Sequence, residues 1–175
     1  MKLLHRIRRL AVPSFVVTLW YLLRHRCRIS PRAEVEINAL LTMGAGTEVN
    51  AFSKLKVSGG VLRIGRNVSV STCCFISASE GGVEIGDYTM VGPNVSIVGN
   101  NYRYDRIDVP TVLQEKTSKG IRIADNVWLG AGAVVLDGAR IDAGVIVAPN
   151  SVVSGHVPEN AVVQGNPARV IFTRR

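Results

Sequence analysis

Residues 123–157 read IADNVWLGAGAVVLDGARIDAGVIVAPNSVVSGHV, and their spacing decides the fold. Aliphatic side chains recur at Ile123, Leu129, Val135, Ile141, Val147 and Val153, always six apart. Small or branched residues follow four places later, at Val127, Ala133, Ala139, Val145, Ser151 and Val157. A period of six matches neither the 3.6 of a helix nor the 2 of a strand, so no single helix or flat sheet buries both columns. It suits a chain wound as a triangular coil, each hexapeptide forming one flat side with one aliphatic aimed at the axis. Successive coils then stack as parallel strands roughly 4.8 Å apart. Gly130, Gly132, Gly138 and Gly144, with Asp125, Asn126, Asp137, Asp142 and Asn150, supply the turns between sides.

Toward the N-terminus the same step continues through Ile85, Val91 and Ile97, and through Ile64, Val70 and Ile76, with a corner bulge at Ser77–Gly82 between them. Earlier still the phase is imperfect. Ile29, Val35 and Leu41 hold one register, and Met43, Val49 and Leu55 hold another offset by two, which small corner insertions reconcile. At about 18 residues per turn of the coil, about seven coils are expected. Stacked coils leave open strand edges at both ends; residues 1–28 and those after Pro158 are the candidate caps.

The sustained period, the string Asn126-Val127-Trp128-Leu129-Gly130-Ala131 and the close Gln164-Gly165-Asn166-Pro167-Ala168-Arg169-Val170-Ile171 resemble the hexapeptide-repeat acyltransferases. Within them, the strings are similar to the galactoside, maltose and polysaccharide acetyltransferase branch. The resemblance implies an all-β fold, a left-handed parallel β-helix over residues 29–171, and a homotrimer. It also implies acetyl transfer from acetyl-CoA to a hydroxyl or amine of a sugar, on a glycan or lipid-linked precursor, in surface polysaccharide synthesis. In that family the pantetheine arm of the coenzyme lies in a groove between two β-helices, against small residues. Gly130, Ala131, Ala148, Pro149 and Ser154 match those positions. Asn166, Pro167 and Arg169 match the segment at the nucleotide end, where a guanidinium suits phosphate. Gly155 stands where the family's usual lysine would be, which removes one phosphate contact. Trp128 matches an aromatic beside the thioester; the alternative is that it covers an edge of the core.

The period breaks between Val98 and Gly120, VGNNYRYDRIDVPTVLQEKTSKG. A long insertion in a regular solenoid is more often functional than accidental. By the resemblance it helps form an acceptor pocket between subunits, with Asn101, Arg103 and Tyr104 as acceptor-binding candidates; the alternative is a loop that only locks the trimer. The family carries a histidine base near the start of this loop, and here Asn100 or Tyr102 occupies its column. An amide does not titrate, and a tyrosine has a pKa near 10. Asp105 is the nearest substitute, either as a base or as a turn residue paired with Arg103 or Arg106. The catalytic candidates are therefore Asp105, Asn100, Tyr102 and Trp128. His5, His25 and His156 read as solvated or helix-associated. One histidine in the repeats cannot furnish the three-histidine zinc site of gamma-class carbonic anhydrases, so no metal is expected. The missing histidine and lysine also motivate a second class of reading, a trimer that kept the scaffold and lost catalysis.

The net charge of +8 is concentrated at one end. Lys2, Arg6, Arg8, Arg9, Arg24, Arg26 and Arg28 precede the first acid, Glu34, and leave 14 bases against 13 acids in the remainder. A nucleic-acid binder carries a basic stripe across its fold, so that class is set aside. The apolar run from Leu10 to Leu23 spans about 21 Å as a helix, short of the roughly 30 Å of a bilayer core. Arg24–Arg28 stands where a signal peptide needs small residues. Residues 1–28 therefore read as a helical segment, kinked near Pro13. It is either an anchor on an anionic membrane surface, with Trp20 and Tyr21 at headgroup level, or a cap on the β-helix. Residues 172–175 read as a basic tail. Cys27, Cys73 and Cys74 make no disulfide framework or metal spacing, and reduced thiols imply a cytoplasmic protein, peripheral on the inner membrane face if the anchor reading holds.

Overall fold

The computed structural model describes residues 12–175, and from Arg28 onward the chain winds as a left-handed parallel β-helix. Three flat sides form a triangular prism. Side A stacks Arg28–Ile29, Glu48–Val49, Ser69–Val70, Met90–Val91, Trp128–Leu129, Ile146–Val147 and Ala161–Gln164. Side B stacks Glu34–Val35, Lys54–Val57, Phe75–Ala78, Ser96–Val98, Val134–Leu136 and Val152–Val153. Side C stacks Leu41–Met43, Leu62–Ile64, Val83–Ile85, Ile121–Ile123, Arg140–Ile141 and His156–Val157. The chain thus completes six coils and the first side of a seventh.

Register makes the core. On side A the direct strand partners are Ile29, Val49, Val70, Val91, Leu129, Val147 and Val163, and all are buried. At the C–A and A–B corners the second inward column is smaller, because it lies where the chain bends, and it includes the hydroxyls of Thr47, Thr89, Ser53 and Ser151. A buried hydroxyl needs a partner, and the neighbouring coil supplies one: Thr47 Oγ1 donates to the Gly65 carbonyl and Ser53 Oγ to that of Ser71, each at 2.7 Å. Cys74 fills the same column, and Cys27 packs at the first coil; burial raises both thiols above their usual pKa.

The pairing revises two registers. Leu41 pairs with Leu62 and Met43 with Ile64, so Met43 holds the aliphatic column and Leu41 the second one. Val157 pairs with Ile141 and also belongs to the aliphatic column, because its corner is two residues short. All the irregularity is at one edge. The step from side A to side B and that from side C to side A are six residues in every coil, whereas successive steps from B to C are 8, 9, 9, 26, 6 and 4 residues.

Both ends are closed. Residues Ser14–His25 form a helix that begins after Pro13 and lies on the first coil. Its Val17 and Tyr21 pack onto the core, and the Tyr21 hydroxyl donates to the Glu36 carbonyl at 2.9 Å. That burial pushes the Tyr21 phenol well above its ordinary pKa. The expectations placed on Lys2, His5, Arg6, Arg8 and Arg9 lie outside the described residues. At the other end Arg169–Thr173 turns back antiparallel along Ala161–Gln164. Residues 172 and 173, read from sequence as tail, continue this strand, and Arg174 donates to the carbonyls of Asn160 (2.9 Å) and Gly144 (2.5 Å).

Leu129 is fully buried while its neighbour Trp128 stands outward. Leu129→Ala is expected to lower unfolding free energy by about 2–5 kcal/mol, and Trp128→Ala by less than about 1 kcal/mol, as read by urea denaturation.

Candidate active site

The residues singled out from sequence divide among one face and two corners of the prism. The loop leaves side B after Val98, at the B–C corner, and forms an arm. Asn101–Tyr102 pairs antiparallel with Lys116–Thr117, and the Arg103 amide donates to the Glu115 carbonyl at 2.8 Å. The Lys116 ammonium lies 4.8 Å from the Tyr102 ring centre, a cation–π contact. Gln114 braces the tip through its side-chain amide, which donates to the carbonyls of Arg106 and Val109. Beyond that the arm is bare: Tyr104, Ile107, Val112 and Leu113 are all exposed, Ile107 completely.

The base of the arm is clamped by a residue that sequence reasoning assigned only to a turn. Asp137 is buried, and its carboxylate accepts from the amides of Lys119 and Gly120 at 2.7–2.9 Å. Ser118 closes the other strand of the arm by donating to the Gly99 carbonyl at 2.6 Å. An Asp-Gly pair reads as turn chemistry, and nothing in the repeat tells that its carboxylate faces the chain one coil away.

Asp105 is exposed and held by Arg103, with Nε–Oδ1 at 3.0 Å and Nη2–Oδ2 at 2.8 Å. These bonds, with its own amide and the guanidinium charge, hold its carboxyl below the usual carboxylate range. A lowered pKa means weak proton affinity, the opposite of what a general base near neutrality requires. The paired-turn alternative is therefore the geometry found. Arg106 and Asp108 repeat the same pairing further out. Asn100 is half-buried at the root of the arm, beside Asn101 and Tyr102.

Trp128 is elsewhere. It stands outward on side A, 46% exposed, between its register partners Met90 and Ile146. Side A faces away from the B–C corner with the core between them, so one chain does not bring Trp128 to the arm. The residues matched to the coenzyme groove also separate. Gly130, Ala131, Ala148, Pro149, Asn166 and Pro167 stack along the A–B corner, linked by bonds such as Asn150 N–H to the Ala131 carbonyl at 2.9 Å. Ser154 and Gly155 lie exposed at the B–C corner, two coils from the arm, and Arg169 opens the return strand. Among the described residues no three His, Cys, Asp or Glu side chains gather as a metal site would require.

The two glycines at these corners differ in kind. A Cβ on Gly130 would come within 2.7 Å of the backbone of Val147 and Pro149, so coil stacking itself demands glycine there. A Cβ on Gly155 meets nothing within 4 Å. Gly130→Ala is expected to destabilise by about 1–3 kcal/mol and Gly155→Ala to stay within about 0.5 kcal/mol of the parent, as thermal melts will read.

Comparison with known proteins agrees with this architecture. A family model described as bacterial transferase hexapeptide (six repeats) matches residues 120–155. WbbJ of Escherichia coli (strain K12), which bears the name of a lipopolysaccharide biosynthesis O-acetyl transferase, is 32% identical over 86% of this chain and 77% of its own. A galactoside O-acetyltransferase of Lactococcus lactis is 31% identical over 61% of this chain and 53% of its own. The crystal structure of AntD, an N-acyltransferase from Bacillus cereus in complex with dTDP and 3-hydroxybutyryl-CoA, superposes with a TM-score of 0.77 at 17% identity, over 86% of this chain and 81% of AntD. By its repeat, its fold and its similarity to WbbJ over most of both chains, the protein belongs to the hexapeptide-repeat acyltransferases, in the sugar acetyltransferase branch.

Proposed function

We propose that this protein transfers an acetyl group from acetyl-CoA to a sugar, on a glycan or lipid-linked precursor, at a site assembled between copies of the chain in a homotrimer. The observation that carries the shared site is the separation just described. The arm and Trp128 lie on opposite parts of the prism, and each offers uncovered apolar surface. Outward residues of the later coils on sides A and B are largely apolar, Met90, Trp128 and Ile146 on one and Val98, Val134, Leu136 and Val152 on the other, whereas side C carries charge. A neighbour docked on A and B would cover these columns and meet the exposed tip of the arm.

The chemistry needs an acceptor nucleophile to attack the thioester carbonyl, a tetrahedral oxyanion to form and collapse, and the coenzyme thiolate to leave and take up a proton. Asn100 and Tyr102, at the root of the arm, would orient the acceptor and donate hydrogen bonds, and neither serves as a base at neutral pH. An amine that arrives unprotonated needs no base for attack and loses its proton afterwards, so the residue set favours an amino sugar over a hydroxyl. AntD is named as an N-acyltransferase. Ala131, Ala148, Pro149 and Ser154 would line the pantetheine arm, and Asn166, Pro167 and Arg169 would receive the nucleotide.

Calorimetry with acetyl-CoA should give saturable binding near one site per chain. Absence of binding at millimolar coenzyme in a folded trimer would replace the enzyme with a scaffold that has lost catalysis. Gly155 is open to solvent, and Gly155→Lys is expected to tighten acetyl-CoA binding several-fold by restoring an ammonium. The shared site has its own test: Trp128→Ala and Asn100→Ala homotrimers should each lose at least tenfold in turnover, and mixed trimers refolded from both should regain activity. Mixed trimers no better than either parent would place the site within one chain. Asp105→Asn should leave the neutral limb of the pH–rate profile unmoved, because the carboxyl it removes titrates well below neutrality.

We further infer that the N-terminal helix rests on an anionic membrane surface. Among the described residues no helix is long and apolar enough to cross a membrane. The helix Ser14–His25 is nevertheless apolar on both faces: Val17 and Tyr21 cap the coil, while Phe15, Leu19, Leu22 and Leu23 are 64%, 50%, 45% and 74% exposed. Arg24 and Arg26 follow, matching anionic headgroups. Replacing Phe15, Leu19, Leu22 and Leu23 by Ser should abolish flotation with phosphatidylglycerol vesicles and leave the melting temperature in place. Flotation that persists would defeat the anchor.

A further inference from the structure

The charge on side C is not arranged as a set of pairs. Its outward column runs Thr42, Arg63, Glu84, Arg122, Arg140 and His156, each the direct register partner of the next. Glu84 is shared between two guanidiniums, Arg63 Nη1 at 2.8 Å and Arg122 Nε at 3.5 Å. Arg140 comes directly after Arg122, and below it His156 is engaged with Asp142 at 2.8 Å. Neither Arg140 nor the Lys119 ammonium has a carboxylate partner among the described residues. Like charges directly opposite in a ladder repel, and such a column is relieved by an anion from outside.

A cleft of about 420 Å³ opens onto this column at the B–C corner, and Arg63, Arg122, Arg140 and Lys119 line it against Glu80 and Glu84. Its cations outnumber its carboxylates by two. Its upper rim is fixed. The backbone of Lys119 and Gly120 is pinned by the buried Asp137, and the Lys119 stem lies over Gly138, on the coil that carries Arg140. Lys119 thus lines the same cleft as Arg122 and Arg140. The guanidiniums of the register partners Arg122 and Arg140, with the Lys119 ammonium of the same cleft, form a donor set that suits the oxygens of a diphosphate.

We propose that this cleft is an anion site for a diphosphate carried by the acceptor, with Arg122, Arg140 and Lys119 as its partners. The proposal rests on the acyltransferase reading and deepens it. The cleft adjoins the foot of the arm, so an acceptor held there by its diphosphate presents its sugar toward Asn100 and Tyr102. The diphosphate belongs either to a nucleotide or to a lipid carrier, two chemistries with the same anchoring group.

The test is titration of the full chain with inorganic pyrophosphate at low salt. Saturable binding is expected, weakened at least tenfold by the double variant Lys119→Gln/Arg140→Gln and tightened by Glu84→Gln, which frees Arg63 and Arg122. All three side chains are on the surface, so both variants are expected to melt with the parent. Acetyl-CoA titration of the same variants separates this proposal from the function it rests on: unchanged coenzyme affinity with weakened pyrophosphate supports it. Pyrophosphate affinity equal in parent and double variant, or pyrophosphate displaced competitively by coenzyme A, overturns it. Displacement by uridine diphosphate would identify a nucleotide acceptor. Arginine-dependent binding to phosphatidylcholine vesicles doped with a polyprenyl diphosphate would identify a lipid one, and failure of both arms overturns the assignment to the acceptor.

Discussion

Everything in this molecule depends on keeping the aliphatic column in register. Each coil contributes one large apolar side chain per side to a common axis, and the strands stack at roughly 4.8 Å. A slip of one residue would turn a whole side inside out. The structure therefore tolerates variation only where it does not propagate. Two corners are held at a fixed six-residue step, closed by left-handed residues such as Asn126 and Asn150 whose side chains tolerate that backbone, and the third absorbs every insertion and deletion.

That constraint sets the distribution of chemistry. Because the inward positions are committed to packing, functional groups are left to the outward columns and the corners. The outward columns of the later coils differ by side, apolar on A and B and charged on C. The arm, clamped at its base by Asp137, leaves the prism, and its exposed tip has no packing partner within the described residues.

The fold was legible in the sequence because a period of six over residues 123–153 has no competing explanation. The registers around Leu41 and Val157 were not, because a corner of unusual length leaves no mark on the aliphatic spacing until pairing is seen. The arm was legible as a break in the period, and the pairing of Asp105 with Arg103 was one of two outcomes the residues allowed. The separation of Trp128 from the arm was hidden, since sequence order says nothing of which side of a three-sided prism a residue faces. The same holds for side C. Arg63, Arg122 and Arg140 are far apart in the chain, and only stacking turns them into a column. For the N-terminal segment, the sequence posed cap and anchor as rivals, whereas Tyr21 caps the coil on one face of the helix and leaves the opposite face uncovered.

The single variable edge has a consequence for how such an enzyme changes over time. Small residues matched to the coenzyme lie chiefly along the A–B corner, where the step never departs from six and Gly130 is fixed by the coil beneath it. The arm rises from the B–C corner, where lengths from 4 to 26 residues coexist in one chain. With the proposed placement of the two substrates, insertions at that edge would reshape what is acylated while the groove for the donor stays untouched. Under the proposed function, recognition of the two substrates would be inherited separately, one written into the geometry of the coil and the other free to drift.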